Sequence, residues 1–314
     1  MDWLSPIYYL GLAFIFLFLP MFVLLSVLTY VRKKEAGRRV NPLTEDLFRT
    51  PGFSLQQRID SMQWNLMESM MMIPVLTAIV PALFFIQVKI EERSVSFASW
   101  VPIVILMIIG LTYYVRKFFK QIKKIENLRL GYACEMAVGQ QLEQIVRPDN
   151  RPYRVYHDIP FDGFNIDHLV VGPKGVFVIE TKGRSKPLHN GNKLFKVSVK
   201  GDALHFPKHI EHEPILQVKR NVQAVRKWLS DATGFDVPVE GVLTIPGWYV
   251  TSEEKRKSLY VMNPKQLPYL FPDVQNGKLD LDKIQAISYQ ISHRVKDVDR
   301  ERVDRVASRP LKNY

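Results

Sequence analysis

Residues 166–182 read IDHLVVGPKGVFVIETK, and the reading of this stretch decides the fold. Two apolar, strand-like runs flank Gly172-Pro173-Lys174-Gly175. Proline suits the second position of a tight turn and glycine the fourth. A two-residue turn at Pro173-Lys174 pairs Gly172 with Gly175, and counting outward sets Asp167 across from Glu180. Side chains alternate along a strand, so Lys182 points to the same face as Glu180. Two carboxylates and one ammonium therefore share a patch. Val176, Phe177, Val178 and Ile179 are apolar on both faces, which indicates a central, covered strand. Facing carboxylates repel, and charges at the end of a covered strand are costly unless paired or bound. The bland alternative is the exposed polar face of an ordinary hairpin. The patch suits a hard divalent cation such as Mg²⁺ held between the carboxylates, with water available to attack a phosphodiester.

Outward from the hairpin, residues 128–145 read as a helix with an apolar stripe at Cys134, Val138 and Leu142, and with Glu135 beside it. A strand is expected at 153–157 and others at 195–199, 237–245 and 259–262. Pro214 opens a helix reaching Leu229, buried along Val218, Val222, Val225 and Leu229. Gln217 and Asn221 lie four apart on another face of that helix and can act together. Residues 280–298 form a closing helix, and 299–314 a charge-rich tail expected to fray. This alternation fits an α/β sandwich: a mixed sheet flanked by helices.

Asp167, then Glu180-Thr181-Lys182 after an apolar strand, match the D…(D/E)-x-K pattern of the restriction-endonuclease-like fold. A longer set of segments resembles the nuclease-related domain, NERD. These run from Arg129-Leu130-Gly131-Tyr132-Ala133-Cys134-Glu135 through the hairpin to Pro214-Ile215-Leu216-Gln217-Val218-Lys219-Arg220-Asn221. They continue with Val242-Leu243-Thr244-Ile245-Pro246-Gly247-Trp248-Tyr249 and Asn263-Pro264-Lys265-Gln266-Leu267, so that the resemblance covers residues 129–290. It implies a first-helix glutamate aimed at a metal site, matched by Glu135, and a polar site residue on the second helix, matched by Gln217. It further implies Mg²⁺ or Mn²⁺ held by Asp167, Glu180, the Thr181 carbonyl and, directly or through water, Glu135. Lys182 would then orient the attacking water. The expected activity is metal-dependent hydrolysis of cytoplasmic DNA. The alternative is a catalytically inactive module of the same fold that tethers nucleic acid or a partner protein at a membrane.

The first third of the chain reads as a membrane module, residues 1–124. Apolar runs at 6–31, 69–88 and 97–115 are each long enough to be spans, with a cytoplasmic loop at 32–68. No basic residue precedes the first run, which argues against a cleaved signal peptide. Arg32, Lys33, Lys34, Arg38 and Arg39 follow the first run, and Arg116, Lys117, Lys120, Lys123 and Lys124 follow the third. This places the amino terminus outside and the domain at 125–298 in the cytoplasm, on an inner (plasma) membrane crossed several times. In the loop, Pro51-Gly52 marks a turn, and Ser54 with Gln57 resembles a capping box. Ile59, Met62, Trp64 and Leu66 either line an amphipathic helix on the membrane surface or run into the second span.

Charge divides unevenly. Residues 1–115 carry a net +1 and residues 116–314 a net +11, of which +5 lies in 116–130. Orientation and anionic lipid account for the latter, and the rest is compatible with a phosphate-backbone partner. DNA, the lipid membrane and a second copy or partner protein are the expected partners. The single cysteine, Cys134, forbids an internal disulfide and suits a reducing compartment. His205, His209, His212 and Glu213 cluster in sequence, but Pro207 interrupts helical ligand spacing and a surface loop is the simpler account. No Walker-type glycine loop is present.

Overall fold

The computed structural model describes residues 48–74, 101–146, 152–252, 259–271 and 278–307, with isolated positions between 23 and 31. Strands β1 (Arg154–Phe161), β2 (Phe164–Gly172) and β3 (Gly175–Thr181) form an antiparallel meander. The turn closes at Pro173-Lys174, with Gly172 opposite Gly175 and His168 opposite Ile179. Short strands β4 (Leu188–His189), β5 (Asn192–Lys193), β6 (Lys196–Lys200), β7 (Ala203–His205) and β8 (Ile210–Glu211) follow. Then come β9 (Val239–Thr244), β10 (Tyr249–Ser252) and β11 (Leu259–Met262). The main sheet has the order β1-β2-β3-β9-β11, with β3, β9 and β11 parallel, so it is mixed. A second sheet has the order β10-β6-β7-β8.

Every residue of β3 is buried, as a central strand covered on both faces must be. Its alternation sorts the layers. Val176 and Val178 enter one core with Val225 and Leu229 of α3 (Glu213–Thr233) and Ile284, Ile287 and Ile291 of α4 (Leu281–Ala307). Phe177 and Ile179 enter the opposite core with Val138 and Leu142 of α2 (Val101–Val146). A third core joins Ile215 and Val218 of α3 to Val197, Val199 and Trp248 under the second sheet. The result is a mixed α/β unit whose sheets are flanked by helices. Glu180 keeps the phase of Val176 and Val178 and so faces α3, while Thr181 faces the α2 side.

The chain divides into two units, one of residues 1–45 and 62–124, the other of 46–61 and 125–314. Residues 46–61, read from sequence as part of a loop of the first module, therefore cluster with the α/β domain. They include the first turns of α1 (Phe53–Pro74). Ser54 lies inside that helix, and its hydroxyl donates to Asp158. The expected third apolar run, the basic segment and the helix at 128–145 are not separate elements but one helix, α2. Its only proline is Pro102 at the start, where it does no harm, and nothing later in the segment breaks the helix. The closing helix likewise continues past 298 to Ala307.

Among the described residues, no helix is long and apolar enough to cross a membrane. Most of the expected spans at 6–31 and 69–88 lies outside the described residues. Of the third, residues 101–115 form the start of α2, where Val104, Leu106, Ile108 and Ile109 are exposed.

Close packing of α3 on the sheet rests on Gly241 of β9. A methyl group there would come within 2.6 Å of Val218 Cγ1 and 3.0 Å of Val222 Cγ2. Gly241→Val is expected to lower unfolding stability by about 1–3 kcal/mol, as overpacked cores do, measured by chemical denaturation.

Candidate functional site

The sheet register brings Asp158, Asp167 and Glu180 to neighbouring positions on β1, β2 and β3. Pairing between β1 and β2 runs through His157↔His168 and resumes at Ile159↔Ile166, skipping Asp158 and Asp167. Asp158 has φ +48°, a left-handed conformation uncommon outside glycine but tolerated by aspartate. The strand alternation breaks there: Tyr156 and Ile159, three apart, both turn to the α3–α4 core. Backbone in such a conformation persists only when its surroundings hold it. Asp158 is fully buried and is held by Arg49 Nη1 at 3.1 Å and Asn165 Nδ2 at 3.2 Å, together with Ser54 Oγ.

Glu180 is 2% exposed and its two oxygens are engaged by three donors. Lys182 Nζ at 2.8 Å and Gln217 Nε2 at 2.7 Å donate to Oε1. Asn221 Nδ2 donates to Oε2 at 3.0 Å. The four-residue spacing of Gln217 and Asn221 thus sets both amides on one carboxylate, and Asn221 lies with the buried face of α3. Asp167 Oδ2 accepts the Thr181 backbone N–H at 2.7 Å. Lys182 leads into Gly183, where a methyl group would come within 3.0 Å of Cys134 Sγ on α2. That close approach carries the end of β3 past the helical turn bearing Glu135.

Glu135, 8% exposed, completes the cluster. Burial, then the charges of Asp158 and Glu180, push its carboxyl up to about 8, and Lys182 and Arg58 only partly offset this. Burial, followed by Glu180 and Glu135, holds Asp167 well above the ordinary carboxylate range. Burial raises Glu180 as well, against the pull of Lys182 and Asn221. Burial and then Glu135 raise the Cys134 thiol, which makes it a poor nucleophile.

The expected ligands Asp167, Glu180, Thr181 and Glu135 are thus drawn to one end of the sheet, with Lys182 and Gln217 among them. They are not arranged as a metal cage: among the described residues no three His, Cys, Asp or Glu side chains stand where they could jointly hold an ion. At Glu180 the oxygens are taken by Lys182, Gln217 and Asn221. The donor chemistry nevertheless fits a hard cation. Three enclosed carboxyls lie together, burial and then their mutual repulsion raise Glu135 and Asp167, and neutral imidazole and thiolate take no part. The sequence cluster at His205, His209, His212 and Glu213 gives no metal group either; His209 stacks on Phe206 and pairs with Glu211.

Sequence reasoning missed Asp158, Arg49 and Arg58, and a buried polar chain behind the site. His157 Nε2 meets Glu143 at 3.1 Å, His157 Nδ1 meets His168 Nδ1 at 2.8 Å, and Thr181 Oγ1 lies 3.2 Å from Thr244 Oγ1. Burial depresses both histidines, so between the two neutral rings one Nδ1 donates and the other accepts. Thr244 Oγ1 donates to the Glu180 carbonyl at 3.2 Å, tying this chain to β3. Alternation in HDIPF and IDHL gave no hint that the two histidines would meet inside.

Residues 130–246 match the family model of the nuclease-related domain, NERD. The segment Asn263-Pro264-Lys265-Gln266-Leu267, also part of the resemblance, lies beyond the match. No curated protein and no solved structure matches the chain.

A pH dependence follows from Glu135. Its carboxyl titrates near 4.5 when unfolded and near 8 when folded, so between these values the folded chain binds the extra proton. Its contribution to stability is complete below the lower value and is lost as pH rises through the upper one. In chelator, thermal stability should therefore fall from about pH 4.5 to about pH 8, and Glu135→Gln should flatten that slope, measured by melting across the range.

Proposed function

We propose that the chain is a metal-dependent nuclease held at a membrane, hydrolysing phosphodiester bonds of cytoplasmic DNA. The observation that carries this reading is the enclosed group Glu135, Asp167 and Glu180 beside Lys182, within a region matching a nuclease-related domain. Ionising Glu135 and Asp167 beside Glu180 would leave a negative charge that one lysine does not balance, and a bound cation would answer it. Mg²⁺ or Mn²⁺ would be held by Asp167, Glu180 and the Thr181 carbonyl, with Glu135 contributing directly or through water. Once bound, the ion would supply Lewis-acid activation of the phosphate and of water. The remaining work falls to the chain. Lys182 turns its ammonium from Glu180 toward the attacking water and the phosphate oxygens, where negative charge develops. Gln217 and Asn221 keep the Glu180 carboxylate oriented from α3. Thr181 N–H fixes the Asp167 rotamer from across the hairpin.

Membrane attachment is supported by the uncharged run at 6–31 and by the exposed apolar side chains early in α2. With basic flanks on the cytoplasmic side, the α/β unit faces the cytoplasm of an inner (plasma) membrane. Alkaline extraction should leave the chain in the membrane pellet; release into the supernatant would remove the anchor from this account.

One observation favours a second reading, a catalytically silent module that tethers nucleic acid or a partner protein. The three donors on Glu180 already satisfy its oxygens. Cleavage of linear, circular and single-stranded DNA by the full chain in detergent separates the two. The nuclease reading expects cutting with Mg²⁺ or Mn²⁺, none with chelator, and a loss of roughly 10²-fold or more in Glu180→Ala and in Lys182→Ala. No cutting by folded protein, with DNA binding indifferent to both substitutions, would favour the tether.

A further inference from the structure

Residues 49–59 dock on the α/β unit with a specificity that a passing linker does not need. On α2, Gly131, Glu135 and Gly139 recur every four residues and so share one helix face. The segment lies along that face. A methyl group on Gly139 would come within 2.3 Å of Pro51 Cγ, and one on Gly131 within 3.3 Å of Leu55 Cδ1. Between them Gly52, at φ +70°, lies over Glu135: a methyl group there would stand 2.7 Å from the Tyr132 ring and 3.7 Å from Glu135 Oε2.

The segment's own periodicity matches. Leu55 and Ile59 are four apart, and Ile59 is buried. Ser54 and Arg58 are four apart on the adjoining face. Ser54 Oγ donates to Asp158 Oδ1, and Arg49 Nη1 reaches Asp158 Oδ2 and the Asp158 carbonyl at 3.1 and 3.4 Å. Arg58, one turn past Ser54, is close enough for its charge to pull the Glu135 carboxyl down. Its side chain is exposed at its end of the helix and can meet a ligand.

We propose that residues 49–59 form a strap that completes the candidate site, closing over Glu135 and supplying Arg58 as a contact for a substrate phosphate. This rests on the nuclease reading of the same site. Lys182 serves the attacked phosphate as a single ammonium, and an arginine beside the cluster adds planar, charge-assisted donors suited to further phosphate oxygens. Arg49 and Ser54 act as positioning residues through Asp158. The functional domain then begins near residue 46, and a chain starting at 125 lacks part of its site.

The test uses the full chain in detergent, with trypsin cleavage after Arg49 and DNA cleavage read side by side. Leu55→Asp disrupts docking from the strap and Gly139→Leu from α2. In the unaltered chain, Arg49, 8% exposed and fastened to Asp158, should resist trypsin. Both variants should be cut after Arg49 at least about tenfold faster, as local opening allows, and should lose about tenfold or more in DNA cleavage while a cooperative melt remains. Arg58→Ala should raise KM about tenfold with kcat little changed, and Arg58→Lys should recover part of that loss. Equal trypsin cleavage with and without the substitutions overturns the docking. Faster trypsin cleavage with unaltered DNA cleavage, or an unmoved KM in Arg58→Ala, overturns the role in the site. A chain that cuts no DNA with any metal refutes the nuclease reading and with it the role of Arg58, while trypsin protection still decides whether the strap docks.

Discussion

The cost of enclosing like charges governs this structure. Glu180 sits 2% exposed at the end of a strand buried from end to end, and Asp167 is held beside it by the Thr181 N–H. An ionised carboxylate there costs several kcal/mol of desolvation unless its surroundings answer it. Three donors do so, each a hydrogen bond to a charged group, of a kind that typically contributes about 1.5–3 kcal/mol. Glu135 is answered mainly by charges at a distance, and its carboxyl rises to about 8. The two glutamates thus meet the same constraint differently, one by pairing and the other by keeping its proton.

That constraint organises the elements around it. Helix α3 must come close to the sheet for Gln217 and Asn221 to reach Glu180, which is why β9 carries Gly241 beneath Val218 and Val222. Helix α2 must pass the exit of β3, and Gly183 makes room against Cys134. Strand β1 bends at Asp158, and Arg49, Ser54 and Asn165 hold the bend. Without a counter-charge these features assemble repulsion. Under the proposed reading, a divalent cation would turn them into a ligand set and free Lys182 for the substrate.

Much of this was legible in the sequence, for local reasons. Pro173 and Gly175 specify a turn with one register, and that register alone places Asp167 against Glu180. The apolar run from Val176 to Ile179 announces a central strand, and the spacing of Gln217 and Asn221 announces paired amides. What escaped depends on tertiary contact. Asp158 has ordinary neighbours in sequence, and its left-handed backbone is set by an arginine and a serine more than a hundred residues earlier. The docking of residues 49–59 was hidden because Ser54 and Gln57 imitate a local cap, and because Gly131, Glu135 and Gly139 read as three unremarkable helix positions. Helix α2 was read as separate pieces because the composition changes from apolar to basic near Arg116, while nothing in the backbone chemistry breaks there.

The central claim is that this carboxylate group is built to take a divalent cation in exchange for its protons. Calorimetric titration of Mn²⁺ into the full chain, in buffers of different ionisation enthalpy near neutral pH, tests it most directly. The account predicts one ion per chain, bound with release of protons from Glu135 and Asp167, and binding abolished by Asp167→Ala. Absence of binding, or binding that releases no protons and survives Asp167→Ala, would contradict it.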